Sequence, residues 1–239
     1  MPAPKRFADY LREFAYHPRS SKHGDALCEF ILEDLLGTCP DIAEHAQQGK
    51  IVYDLRRKIR VGGSEWNVDL VLGPPPAPGP PASAHGRIPR TPPATIRIAI
   101  ESKSVMTEHK KAQRNRLRDL DSFHQFIHRY DPHLIAASIT VINISPTFRS
   151  PLRPAVTKHV NPRALVETAI GLLRTLPQRA GVEEGAGLEA NCVMVVSHDN
   201  VSPSGSRLVT EPPAPQVGDP LHYDSFLHRI CDRYRQRFR

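Results

Sequence analysis

The sequence lacks the features that mark a membrane, secreted or zinc-finger protein. No apolar run approaches the ~20 residues that cross a bilayer, and the N-terminus, MPAPKRFADY, has no apolar signal-peptide core. The four cysteines, Cys28, Cys39, Cys192 and Cys231, form no CxxC pair and none lies near a histidine at zinc-finger spacing. These absences predict reduced thiols in a cytoplasmic protein that has no membrane segment.

The composition favours one folded domain with a polyanionic partner. The chain has 239 residues, of which 39% are hydrophobic. Lysine and arginine outnumber aspartate and glutamate by 32 to 25, so the formal net charge is +7. A basic balance favours a nucleic-acid partner, although it says nothing about the fold. We therefore expect a single domain over residues 1–239.

Apolar periodicity predicts a helix and a hairpin in the first part of the chain. Leu27, Ile31 and Leu35 recur at four-residue spacing and indicate a helix over 24–36, followed by a short helix over 41–48. Two strand-like segments flank a Gly-Gly turn and predict a β-hairpin; they are 51–61 and 65–72.

The second hairpin strand has an alternating pattern. Alternation predicts that its even-numbered apolar residues share one face and that Asp69 lies on the other; those residues are Trp66, Val68, Leu70 and Leu72. Trp66 is thus expected to face away from Asp69 and to pack in the core. Residues 74–93 contain nine prolines, which predicts an extended surface loop.

The rest of the chain alternates strands and helices. After a strand over 95–104, Thr107 is a suitable N-cap for a long helix to about Tyr130. The apolar run IAASITVINI, residues 135–144, predicts a strand covered on both faces. The remaining predicted elements are a helix over 161–176, a strand over 191–197 and a helix from about Tyr223. This order predicts an α/β fold, with a central mixed β-sheet flanked by helices.

Two of the predicted strands carry charged residues within apolar sequence. Asp69 lies in WNVDLVLG, and Glu101 and Lys103 end the isoleucine-rich strand IRIAIESKS. Because residues two apart on a strand project from the same face, Glu101 and Lys103 lie on one face. Burying either charge alone costs on the order of several kcal/mol. A neighbouring Asp69 together with a divalent cation would supply the compensating partner.

An acidic residue on one strand, followed by Glu-x-Lys at the end of the next, resembles the PD-(D/E)xK nuclease superfamily of restriction endonucleases, resolvases and repair nucleases. Asp69 matches the first acid and Glu101-Ser102-Lys103 the second motif, while Val68 stands where the family usually has proline. The resemblance covers about residues 20–145. It implies a restriction-endonuclease-like core, with 146–239 as a C-terminal extension of unassigned role.

The resemblance implies a Mg²⁺-dependent endonuclease that hydrolyses DNA phosphodiester bonds. Asp69, Glu101 and the backbone carbonyl of Ser102 would hold the Mg²⁺, for which Mn²⁺ would substitute. Two carboxylates suffice because Mg²⁺ takes oxygen ligands and keeps several waters. Lys103 would orient the attacking water or help to deprotonate it, and would offset charge that develops on the phosphate. The competing interpretation is an ion pair at a sheet edge, with Asp69 only capping the hairpin.

The flanking helices supply further candidates. Some members of the superfamily carry an extra acid on the first helix, where Glu29 is the candidate metal ligand. The helix after the motif begins with a run of cations that would contact backbone phosphates: Lys110, Lys111, Arg114 and Arg118. The alternative for both sets is a solvated charged helix face. SHDN, residues 197–200, is interpreted as a strand-to-loop turn.

Three functional classes stay open, with DNA as the expected partner. The first is a type II-like restriction or phage-defence endonuclease, which would favour a homodimer because one active site is needed per strand. The second is a structure-specific repair or junction nuclease. The third is a non-catalytic nucleic-acid-binding protein whose charges only resemble a site.

Overall fold

A computed structural model describes residues 1–77, 88–107, 109–201 and 205–239 of the chain. The predicted proline-rich loop, 74–93, lies in part outside the described residues.

A mixed sheet forms the centre of the fold, as predicted, and among the described residues it has six strands. Its order is β1-β2-β3-β4-β7-β8, with β1 (Val52–Val61), β2 (Ser64–Gly73), β3 (Ile98–Val105), β4 (Ile135–Asn143), β7 (Ala190–Ser197) and β8 (Arg207–Val209). The three central strands β3, β4 and β7 run parallel, whereas β1, β2 and β8 pair antiparallel to their neighbours. Two short strands, β5 (Thr147–Phe148) and β6 (Thr157–Lys158), pair separately.

Helices cover both faces of the sheet. They are α1 (Ala3–Glu13), α2 (Lys22–Thr38), α3 (Pro40–Gln47), α4 (His109–Tyr130), α5 (Pro162–Leu173) and α6 (Tyr223–Phe238). One hydrophobic core joins α1, α2, α3 and α6 to one face of the sheet, and a second joins α4 and α5 to the other. In the described part of the chain, none of the helices has the length and apolar character needed to cross a membrane.

Strand β4 is buried along its whole length, as predicted. Each of its nine residues is buried, because β3 and β7 flank it and helices cover both of its faces. Residues after 146 belong to this same core, since β7 pairs with β4 and α6 packs against β7.

Strand β2 departs from the predicted alternation of faces. Leu70 and Leu72 pack in the core beside α2, whereas Val68 packs in the core beside α4, with Trp66 against it. The expectation that these four residues share a face is therefore wrong. The change of face occurs around Asp69, where the register of the hairpin places Arg56 opposite with φ of 56°. A non-glycine residue in this left-handed region bends a strand at an energetic cost.

A disulfide joins Cys39, at the start of α3, to Cys231 in α6. The prediction of reduced thiols is wrong for this pair, while Cys28 and Cys192 are free and buried. The two partners are 192 residues apart in sequence, so spacing gave no sign of the pairing. The Cα–Cα distance is 5.2 Å, within the usual range for disulfides.

Replacing both Cys39 and Cys231 with serine should lower the free energy of unfolding by up to ~5 kcal/mol, because the cross-link removes entropy from a long loop of the unfolded chain. Chemical denaturation with and without a reducing agent measures this. The double variant should be insensitive to the reducing agent. An unsubstituted protein that loses no stability on reduction would show that the cross-link contributes nothing.

Candidate active site

The site lies where β2 and β3 separate. Their pairing runs through Leu72–Ile98 and Val71–Ala99 and ends at Leu70–Ile100. Asp69 and Glu101 are the next residues on the two strands, and they occupy opposite positions at the opening. We call this opening the strand fork.

Asp69 bridges the strand fork through its side chain. The backbone N–H of Ser102 donates to Asp69 Oδ2 at 2.8 Å, so the carboxylate accepts a hydrogen bond where regular pairing has stopped. Burial raises the pKa of Asp69, and the charge of Asp25 raises it further. The ammonium of Lys103 and the hydrogen bond from Ser102 act in the opposite direction.

Glu101 is almost completely buried, with 2% of its surface exposed. Burial raises its pKa from the usual 4.5 to about 7, and the nearby charge of Asp69 adds to this rise. Lys103 donates a hydrogen bond to Glu101 Oε1. This bond and the nearby Trp66 side chain favour the charged form of Glu101 and so lower its pKa, but they do not outweigh burial.

Two polar atoms at this place have no hydrogen-bond partner among the described residues. Glu101 Oε2 is buried without one, and so is the hydroxyl of Thr140. Thr140 lies opposite Lys103 in the parallel pairing of β3 with β4. A buried polar atom without a partner calls for an explanation, and a bound water or ion is one that fits a site with charged neighbours.

A polar cleft opens beside the strand fork, with a volume of about 170 Å³. We call it the Asp69 cleft. Its charged lining is Asp25 from α2, Asp69 from β2 and Lys103 from β3. Glu101 is not among the described lining residues, and it is linked to the cleft by Lys103, which lines the cleft and donates to the Glu101 carboxylate. Opposite charges thus meet at one partly enclosed place.

Arg56, whose φ is positive, is paired with a cleft residue. Its Nε lies 3.4 Å from Asp25 Oδ1. The bend of β1 opposite Asp69 thus accompanies an ion pair at the cleft.

Tyr16 forms part of the cleft wall, and both its side chain and its backbone are held by hydrogen bonds. Its hydroxyl lies 2.6 Å from Ser104 Oγ on β3. Asn200 Oδ1 accepts from the Tyr16 backbone N–H at 2.7 Å, and Asn200 Nδ2 donates to the Tyr16 carbonyl at 3.0 Å. The segment 197–200 is therefore more than a turn, because its asparagine holds the cleft wall.

The structure brings some of the predicted residues together and separates others. Asp69, Ser102 and Lys103 line one cleft, and Lys103 joins Glu101 to it. Glu29 is exposed, and the acidic residue that α2 contributes to the lining is Asp25. Asp25 sits four residues before Glu29, one helical turn away.

The predicted phosphate contacts lie in a groove between α4 and α5. All four predicted cations, Lys110, Lys111, Arg114 and Arg118, line this groove together with Leu165 and Thr168. We call it the α4–α5 groove. Among them, Lys111 also lines a second pocket, which adjoins the Asp69 cleft at Tyr16 and Ser104.

Sequence reasoning did not identify Trp66, Asp25 or Tyr16 as site residues. Trp66 was assigned to the core, and it does pack against Phe123 and Phe126 of α4. Its position near Glu101 depends on the change of face near Asp69, for which the hydrophobic pattern gave no signal. Asp25 could have been named as a candidate, because it is an acidic residue near the start of the apolar pattern that predicts α2.

No family model, curated protein or solved structure matches this chain. The residues and their geometry are therefore what support a function.

The raised pKa of Glu101 predicts a pH-dependent stability in the metal-free protein. The folded state favours the protonated form of Glu101. The stability that Glu101 contributes is therefore fully present below its pKa in the unfolded chain, about 4.5, and is lost as pH rises through its pKa in the folded protein, about 7. The loss over this window should be up to roughly 3 kcal/mol, as each pKa unit is worth about 1.4 kcal/mol.

Unfolding measured against pH in EDTA tests this for the unsubstituted protein and for Glu101→Gln, which should lack that component. Asp69→Asn should move the Glu101 component to lower pH, because Asp69 raises the Glu101 pKa. A difference between unsubstituted protein and Glu101→Gln that stays constant across the window would contradict the burial argument.

Proposed function

We propose that this protein is a Mg²⁺-dependent endonuclease that hydrolyses DNA phosphodiester bonds, with a restriction-endonuclease-like core of the PD-(D/E)xK type. The observation that supports it best is the meeting of Asp69, Glu101 and Lys103 at the strand fork. Two neighbouring carboxylates with raised pKa values and one lysine lie there, on the residues that follow the last β2–β3 pair. Perturbed ionisable groups of this kind concentrate at functional sites.

The residues fit a hard divalent cation. Among the described residues, no group of three or more His, Cys, Asp and Glu side chains is placed to hold a metal, but Mg²⁺ needs few protein ligands because it keeps most of its waters. Glu101 Oε2 is buried without a partner, and a cation would satisfy it. Asp69 and Glu101 would hold Mg²⁺, with the Ser102 carbonyl as a further ligand, and Mn²⁺ would substitute.

When bound, Mg²⁺ supplies charge stabilisation at the phosphate oxygens. The chain itself supplies positioning. Ser102 N–H fixes the Asp69 carboxylate, while Lys103 holds its ammonium in the cleft, with its side chain 19% exposed. There the ammonium can orient the attacking water and offset charge that develops on the phosphate. Asp25, which is paired with Arg56, stands in the place where the sequence suggested Glu29.

Lys103→Ala should lower the rate of DNA cleavage in Mg²⁺ at least ~100-fold, because it removes the group that orients the attacking water. The assay is nicking of supercoiled plasmid, with EDTA as the zero-activity reference. Lys58→Ala is a charge-matched control, because Lys58 is exposed on β1 and pairs with Glu65. Undiminished cleavage by Lys103→Ala would remove the lysine from the site.

Asp25→Asn and Glu29→Gln separate the two candidate acids on α2. Asp25→Asn should weaken cleavage and raise the Mg²⁺ concentration required for half-maximal rate, because Asp25 lines the cleft. Glu29→Gln should have the smaller effect, since its side chain is exposed. A larger effect of Glu29→Gln would restore the assignment made from the sequence.

The substrate distinguishes the remaining classes. Discrete fragments from plain duplex support a restriction or phage-defence enzyme acting as a homodimer, whereas cleavage confined to branched DNA supports a repair or junction nuclease. Binding without cleavage in Mg²⁺ or Mn²⁺ would leave a non-catalytic DNA-binding protein.

A further inference from the structure

A second pocket continues directly from the Asp69 cleft. The two share Tyr16, Pro18 and Ser104 in their linings. The second pocket has a volume of about 250 Å³ and extends towards the first turns of α4. We call it the α4 pocket. A substrate that fills the Asp69 cleft would enter it on passing the hydrogen-bonded pair of Tyr16 and Ser104.

The α4 pocket presents a cation and an amide that are free to bind a ligand. Lys111 and Asn115 both line it and both are exposed, and in the described part of the chain their side chains form no hydrogen bond or ion pair. They are four residues apart on α4, so they project from one face of the helix. Arg116 also lines the pocket, but it is engaged, because it donates to the Ser104 carbonyl and pairs with Asp119.

Lys111 and Asn115 line both the α4 pocket and the α4–α5 groove, whereas the other three predicted cations of α4 line the groove and not the pocket. Lys110, Arg114 and Arg118 line the α4–α5 groove beside Leu165 and Thr168. That groove shares no described lining residue with the Asp69 cleft. Lys111 and Asn115 therefore lie where the α4 pocket meets the α4–α5 groove, and a strand that leaves the Asp69 cleft would reach them before Lys110, Arg114 and Arg118.

We propose that the Asp69 cleft and the α4 pocket form one substrate groove, in which Lys111 and Asn115 bind the phosphodiester backbone next to the phosphate that is cut. The proposal rests on the proposed nuclease function and names the residues that hold its substrate. An ammonium and an amide N–H₂ are both donors, which suits the anionic oxygens of a backbone phosphate. In this role neither side chain hydrogen-bonds to a base, so the contact does not depend on the DNA sequence.

Binding to a short fluorescein-labelled DNA duplex, and to its single strand, tests the proposal by fluorescence anisotropy at several salt concentrations. Ca²⁺ replaces Mg²⁺, so that binding is measured apart from cleavage. Lys111→Ala should weaken duplex binding roughly three- to tenfold and lower the slope of log affinity against log salt by about 0.9, the value for one phosphate contact. Asn115→Ala should weaken binding about fivefold and leave the slope unchanged, because it removes a neutral donor.

Two lysines provide the comparison. Lys110→Ala removes the same charge from the next residue of α4, on the α4–α5 groove, and should change the slope less than Lys111→Ala does. Lys50→Ala removes it from an exposed position after α3 and should change neither affinity nor slope. Equal slope changes for Lys110→Ala and Lys111→Ala would overturn the proposal, as would an unsubstituted protein that binds no DNA.

Failure of the groove and failure of the nuclease function give different results. A protein that cuts DNA in Mg²⁺ while Lys111→Ala keeps the full salt slope is a nuclease with a different groove. A protein that binds DNA through Lys111 but cuts neither the duplex nor the single strand has the proposed groove without the proposed reaction.

Discussion

The end of β2–β3 pairing at Leu70 and Ile100 is the constraint on which the rest of the site depends. Had the two strands continued together, Asp69 and Glu101 would face each other across a closed ladder, with no space between them. Because the strands separate, Asp69 can turn its carboxylate to the backbone N–H of Ser102. The parallel pairing of β3 with the wholly buried β4 continues beyond this point, so the separation leaves Glu101 and Lys103 on a rigid strand.

The buried charges at the strand fork are only partly compensated by their neighbours. Burial and the charge of Asp69 disfavour the Glu101 carboxylate, while Lys103 and Trp66 favour it, and burial prevails. Arg56 adds a backbone conformation that costs about 1–3 kcal/mol in a non-glycine residue. A binding site can retain backbone strain and buried charge because a bound ligand compensates for them. An ion pair with a purely structural role has no such compensation. This is the physical ground for preferring a cation site to an idle ion pair.

Much of the fold was predictable because its elements have strong periodicity. The buried run of β4, the hairpin of β1 and β2, and the long helix α4 are all present within a few residues of their predicted bounds. Glu101 and Lys103 could be paired from the sequence, since residues two apart on a regular strand must share a face. The face of Trp66 could not, because a bend opposite Asp69 changes the alternation and leaves no mark in the hydrophobic pattern. The Cys39–Cys231 link and the clamp of Asn200 on Tyr16 were also beyond reach, since each joins residues nearly a whole chain apart.

The hold of Asn200 on Tyr16 has a consequence for how the protein is made. Residues 52–143 contain the strands that carry Asp69, Glu101 and Lys103, and their hairpin and parallel contacts are comparatively local. The wall of the cleft is not local, because 184 residues separate Tyr16 from the asparagine that fixes it. A contact of such high sequence separation closes a long loop, which costs more chain entropy than a local contact does, and during synthesis Asn200 emerges only when most of the chain already has. Tyr16 therefore cannot be fixed until Asn200 has been made, so a partly synthesised chain carries the charged residues of the strand fork without the complete wall of the Asp69 cleft.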